Sequence, residues 1–537
     1  AAVLDDYRQG VQHASFSVTG TVGDNAVQHI FSSQHLPQHY RVRAPVVLKN
    51  LHGRWARGSG ITMTGTVRCG KATEISWDVQ TGTGSFLLQN AQVSDSDSHC
   101  SFRFGLTSDV FDIAWKGSLR KETLDRILVD NRILSGEVHG DFTALFDEQQ
   151  PRRSSATGSL YLQDIELPIQ ARVPCALSAA SFSAQGSYVQ VTATKVRFGS
   201  NHADIRGSVM MNEQGFALDG DIFSQRLDLA AFTAPASQAE HSAQGNSSAA
   251  ELWDTPLRGS VRLHVGELVR GSLCFAPFEV NTFFAEKNIT LVAGNVKLCG
   301  ITIPARVSLT PDGIDLDAQL QATNASVTHI AQCLSGEPSP LTGKLDVQVQ
   351  VAARAPLENI RAGLQGHVAI MLRKGRIYKS NLLMDLLSFL SVRNLLSLKK
   401  FDIGKKGFPY HQFVVKGDIQ RETFLLREAL FDSDAVTVVG QGTVSLADGS
   451  LDISCLAMPF QVLDVVLVKI PMLGSLVGKT PIGVPVRITG TVKEAKLKPG
   501  SPTTIIKSVA GMAERILKLP LQIIEPVIDH VNGINRP

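Results

Sequence analysis

The run Gly474-Ser475-Leu476-Val477-Gly478-Lys479-Thr480 comes nearest in this chain to a phosphate-binding loop. In such loops four residues between the glycines let backbone N–H groups wrap the phosphate, and the helix that follows aims its N-terminus at the same group. Here only three residues separate the glycines and Pro481 follows at once, so neither cradle nor helix can form. His35 and His39 stand four apart with His29 nearby, a spacing that could converge two metal ligands on a helix face, but Pro37 lies between them and breaks that face. No His-Glu-x-x-His, Gly-x-Ser-x-Gly or complete Gly-x-Gly-x-x-Gly run is present, and no carboxylate pair sits in a hydrolase motif. The residues therefore predict no catalytic site, no metal and no cofactor, and an enzyme is not expected. No charge-dense aromatic stripe suits nucleic acid either.

Seven cysteines leave at least one unpaired within the chain, and no Cys-x-x-Cys occurs, which argues against a zinc ribbon or a thioredoxin-like site. In an oxidising compartment, Cys69 with Cys100, and Cys299 with either Cys274 or Cys333, are candidate disulfides. The competing reading makes all seven small buried hydrophobes.

The elements that would carry any site are strands. Of 537 residues, 43% are hydrophobic, 19% are charged and 45 are glycine, a mixture of apolar and turn-forming residues throughout. One signature recurs at irregular intervals: Gly, a small or polar residue, then an apolar residue expected to open a strand, as at Gly65, Gly117, Gly158, Gly207, Gly259, Gly343, Gly417, Gly442 and Gly490. Turn chemistry at Pro311-Asp312-Gly313 and Asp448-Gly449 predicts hairpins between segments of period-two alternation. Alternation gives each strand one apolar face. Helices are too few to cover so long a face: short ones are expected near Lys121 to Val129 and Ser326 to Leu334, with longer ones only towards the C-terminus. The predicted fold is mainly β, a long antiparallel sheet curled into an elongated apolar groove with a few amphipathic helices at its C-terminal end. A string of β-sandwiches competes with it.

Residues 233–250 hold no large apolar side chain and are expected to form a flexible linker or loop. They separate an N-terminal β-repeat region (1–232) from a second β region (251–500) with an inserted helix at 381–400, followed by an amphipathic helix over 501–537. On the inserted helix, leucines surround a polar stripe at Asp385, Ser388, Ser391 and Asn394. Either it packs in the core, or it lies in a membrane interface with Leu386 and Phe389 inserted and Arg393, Lys399 and Lys400 near headgroups. The apolar hook over 462–476 is interrupted by Pro471 and Gly474 and makes Val466, Lys469, Leu473 and Leu476 further candidates for a membrane or partner contact. The net charge of +3 hides an asymmetry, because residues 361–537 carry 23 Lys and Arg against 14 Asp and Glu. A basic end suits an anionic lipid surface.

Gly375-Arg376-Ile377-Tyr378, the helix from Asn381 to Lys400, Gly407-Phe408-Pro409-Tyr410, Lys469-Ile470-Pro471-Met472-Leu473-Gly474 and the stretch Ile482 to Gly490 follow one another in an order that resembles the C-terminal region of the AsmA-like family. These are Gram-negative envelope proteins related to the TamB/YhdP group of bridge-like lipid transporters. The likeness covers about residues 290 to 530. It implies a periplasmic protein, anchored to the inner membrane by a helix upstream of residue 1, that carries phospholipid between the two membranes and supports outer-membrane biogenesis. The partners implied are phospholipid, a membrane surface and an inner- or outer-membrane protein. An envelope scaffold that assists outer-membrane protein assembly without conducting lipid is the alternative. Read from the strands themselves, the groove would be lined by Phe413, Val415, Phe424, Leu426, Val436, Val438, Val444, Leu446, Leu451 and Ile453, which alternate with polar neighbours across successive hairpins.

Overall fold

The computed structural model describes residues 13–22, 46–56, 60–69, 73–82, 85–107, 109–128, 130–167, 175–233, 257–378, 380–389, 406–459 and 483–500. It is mainly β: among the described residues 27 strands hydrogen-bond into one sheet. Among the described residues the α-helical segments are α1 (Lys121–Ile127), α2 (Ala230–Thr233), α3 (Val327–Ser335) and α4 (Asn381–Phe389). α3 begins where its capping residue dictates. The Ser326 side chain accepts from the His329 N–H, and Gly336 closes the other end with a left-handed φ of 74°. No described helix is long and apolar enough to cross a membrane. The chain divides into two compact units, one of residues 1–299 with 303–314 and one of residues 300–302 with 315–537.

In the first unit nearly every strand pairs with its sequence neighbour in antiparallel register. One pair departs from this: Gly215–Asp228 lies parallel to Leu257–Arg270, with Phe216 opposite Leu257 and Leu227 opposite Leu268. Parallel neighbours cannot be joined by a hairpin and need a crossover of a dozen or more residues. The segment 229–256 supplies that length. The expected linker therefore separates two strands that are direct partners, while the division into compact units falls near 299–315. Apart from Thr233, residues 233–250 lie outside the described residues.

The glycine signature has a different meaning from the one expected. Most of its glycines stand inside strands, and they share the apolar face. Gly117 pairs with Gly140, and Gly207 with Gly220. The reason is close approach. A Cβ on Gly158, whose φ is +94°, would fall 1.8 Å from the carbonyl oxygen of Asp141, and one on Gly259 would fall 1.9 Å from that of Leu218. Where a sheet bends towards its apolar side, the neighbouring backbone occupies the space a side chain would need.

That bend is measurable in the first unit. Phe146, on Glu137–Asp147, and Phe216, on Gly215–Asp228, sit on strands five spacings apart in the ladder, on the order of 24 Å along a flat sheet at ~4.8 Å per strand. Their rings are 6.3 Å apart. The sheet therefore curls there with its apolar face inward, and Phe142, Leu160, Val189 and Met211 form a buried cluster in the fold.

α1 covers another part of this face. Its Ile127, with Leu128, packs on Val67 and Cys69, and Trp77 and Leu48 border the contact. A polar clasp pins the helix. The Asp95 side chain is wholly buried and accepts from Thr73 Oγ1 at 3.0 Å, Thr123 Oγ1 at 2.9 Å, Arg126 Nη1 at 2.8 Å and the N–H groups of Asp97 and Ser98 at 2.9 and 2.8 Å. Burial alone would raise the Asp95 carboxyl. The hydrogen bonds outweigh it and hold the group below the usual carboxylate range.

Candidate functional site

In the second unit, eight neighbouring strands from Lys344–Ala355 to Ala495–Pro499 form an antiparallel ladder whose register can be followed residue by residue. Directly opposed residues in such a ladder share a face. Phe413 lies opposite Leu372 and Phe431, Val415 opposite Ile370 and Ala429. Phe424 and Leu426 reach the same face although their numbers are even, because a bulge between Lys416 and Gly417 shifts the parity. Phe431 faces Val438, Phe424 faces Val444, Val444 faces Leu451, and Ile453 faces Ile488. Nine of the ten groove candidates thus stand on one face, joined by Val347, Val349, Val368, Ile370, Val484 and Leu497, while Leu446 follows in the turn after Ser445. Val436 and Leu426 are buried; most of the others are half-buried, and Leu446 at the rim is 44% exposed.

The opposite face is chemically distinct. Arg487 forks onto Asp452 at 2.7 and 2.5 Å, and its guanidinium holds the Asp452 carboxyl below its ordinary range. Arg373 pairs with Asp346, and Lys416 with Glu428 at 3.5 Å. Asp418 receives both Arg427 and, at 2.6 Å, His367; the Arg427 hydrogen bond is the main cause of its lowered pKa. A smaller apolar group, including Val414, Leu430, Val439 and Leu456, is buried on that side.

At one end of the apolar face the sheet is capped. α4 sets Leu383, Leu386 and Leu387 into a buried cluster with Phe408, Val436, Cys455, Ala457 and Val486, and it reaches the strand Ala495–Pro499. Leu386 is therefore packed core. Phe431 gathers three aromatic rings beside this cap: Phe408 at 6.3 Å, Tyr410 at 6.2 Å and Phe413 at 6.2 Å. Tyr410 donates to the Thr342 carbonyl at 2.6 Å, and burial pushes its phenol up to about 12. The side chain of Phe389, together with Arg393, Lys399, Lys400, Val466, Lys469, Leu473 and Leu476, the C-terminal helix and the histidines at 29, 35 and 39, lies outside the described residues.

The cysteine readings divide. Cys299 and Cys333 are disulfide-bonded, whereas Cys69, Cys100, Cys175, Cys274 and Cys455 are free thiols. The expected Cys69–Cys100 bridge does not form, because the two residues sit three strand spacings apart, ~14 Å, where a disulfide needs Cα atoms within about 7 Å. Both are buried hydrophobes instead. Burial pushes the Cys100 thiol up to about 11 and that of Cys455 up to about 12.

Sequence reasoning missed a line of phenylalanines on the apolar face of the first unit. Phe86, Phe104, Phe111 and Phe146 touch in succession across four neighbouring strands, with centroids 6.0, 5.5 and 6.1 Å apart. Each stands at an apolar position of an alternating strand, so the signal was present; only register aligns them. Among the described residues no group of three or more His, Cys, Asp or Glu could hold a metal. No protein-family model and no curated protein matches the chain.

Proposed function

We propose that this chain is an envelope protein that carries phospholipid along its apolar β face. One observation carries the reading: the face of the second unit is apolar across eight strands and half-exposed over most of its length, while its reverse is laced with ion pairs. Acyl chains suit such a surface, gaining ~0.8 kcal/mol per methylene removed from water without directional bonds. The sequence likeness to AsmA-like proteins supplies the compartment and the choice of phospholipid as cargo. A scaffold without lipid conduction draws support from the closed cluster around Phe142 in the first unit, where the apolar face packs on itself.

Val438, half-buried between Phe431 and Ala457, is the place to test transport. An unpaired guanidinium there costs several kcal/mol to desolvate and obstructs an acyl chain, whereas Val438→Ala removes only about 1–2 kcal/mol of apolar contact. Leu446→Arg, at the exposed rim, guards against misfolding. Lipid bound after gentle purification is measured by mass spectrometry, and transfer between vesicles by fluorescence dequenching. Both Arg variants are expected to lower transfer at least about tenfold with unchanged circular dichroism. Wild type that carries no lipid, or folded Arg variants that transfer at the wild-type rate, would overturn transport in favour of the scaffold.

A further inference from the structure

The first unit contains a closure that transport along its apolar face would have to pass. Phe146 and Phe216 meet at 6.3 Å from strands five spacings apart. Beneath them Phe142, Leu160, Val189 and Met211 are buried, and Val209 and Trp115 are packed against that cluster. The turn Pro151–Arg153, which follows the strand bearing Phe146, packs on both Asn201–Asn212 and Gly215–Asp228. It also places Arg152 Nη2 at 2.5 Å from Glu213 Oε2, in the turn that precedes Phe216. A ring contact and an ion pair therefore join the same two turns.

The two contacts differ in strength. Arg152 and Glu213 are 70% and 69% exposed, and a pair so open to water holds an equilibrium by at most about fivefold. The rings are half-buried; with the hydrophobic cluster below they supply most of the closure. An alkyl chain, roughly as wide as one strand spacing of ~4.8 Å, cannot lie between rings already in contact.

We propose that Phe146, Phe216 and the Arg152–Glu213 latch form a gate on the apolar face of the first unit, which parts to admit an acyl chain and closes behind it. The gate rests on the transport reading for its purpose, but its opening can be observed without transport. Spin labels at Arg153→Cys and Gln214→Cys, exposed neighbours that leave the Arg152–Glu213 pair in place, in a Cys274→Ser background because Cys274 is the described free thiol that is not buried, report the distance between the turns by electron spin resonance. Lauroyl lysophosphatidylcholine below its micellar concentration is the probe. The expected result is a second, longer distance, by about one strand spacing of ~5 Å, which grows with probe concentration and which Phe146→Ala and Phe216→Ala each populate without probe. One distance, indifferent to the probe and to both variants, overturns the gate whether or not wild type transfers lipid. Bridging the same two cysteines with a flexible bismaleimide should slow vesicle-to-vesicle phospholipid transfer at least tenfold against a singly capped control. Where the singly capped control does transfer lipid, transfer by the bridged protein at that same rate also overturns the gate. If the distance responds while wild type transfers nothing, the gate stands and the transport reading falls.

Discussion

Asp95→Ala should release α1 from the apolar face of the first unit. In the folded chain this carboxylate is wholly buried and holds Arg126, Thr123, Thr73 and two backbone N–H groups. Thr123 keeps a second hydrogen bond, to Ser98 Oγ at 2.5 Å, and Arg126 keeps Asp97. The two N–H groups and the Thr73 hydroxyl lose this acceptor. Removing one partner of a buried, hydrogen-bonded charge typically costs about 3–5 kcal/mol, and the alternatives left to Thr123 and Arg126 place the expected cost at the lower end, about 3 kcal/mol. If α1 opens independently of the sheet, that cost appears as amide exchange over 121–128 faster by about 100-fold, at 1.4 kcal/mol per factor of ten. Exchange over 408–432, in the other unit, should not change. The acid dependence follows with its sign. The folded pKa of Asp95 is depressed, so its contribution is fully present above the unfolded value of about 3.9 and is lost as pH falls through the folded value. Wild-type protection of α1 should weaken on acidification below pH 4, and Asp95→Asn should flatten that dependence. Exchange over 121–128 within threefold of wild type in Asp95→Ala would refute the clasp.

Gly158→Ala meets two penalties, a φ of +94° and a carbonyl 1.8 Å from the new Cβ. It should lower the stability of the strands around it by at least about 2–3 kcal/mol, read as a lower urea midpoint for protease resistance of the first unit, and a midpoint equal to wild type would contradict the bend. Thiol titration of the unfolded, unreduced chain from an oxidising compartment should find five free thiols, rising to seven after reduction. In the folded protein at pH 8, Cys455 should alkylate far more slowly than Cys274, since burial raises its thiol to about 12; equal rates would show that the cluster under α4 is open.

What the sequence determined by itself is local. Period-two alternation placed Phe413, Val415, Val436, Val438, Val444, Leu451 and Ile453 on apolar positions of strands, because side-chain direction in a strand depends only on the backbone's twofold repeat. Ser326 announced α3, and Asp448-Gly449 announced the turn where Asp448 accepts from the Ser450 N–H, because caps and turns draw their hydrogen bonds from within a few residues. Everything that depends on which strand lies beside which, and at what offset, was decided in the tertiary structure. The bulge at Lys416 that brings Phe424 and Leu426 onto the face of Phe413, the parallel pairing across 229–256, and the separation of Cys69 from Cys100 are matters of register. The glycines show the boundary most clearly. Their recurrence is visible in the chain, but that they are needed where an adjacent carbonyl presses against the concave face is a property of the bent sheet. The meeting of Phe146 with Phe216 likewise exists only because the sheet curls, since seventy residues and five strand spacings separate two side chains whose contact no local pattern records.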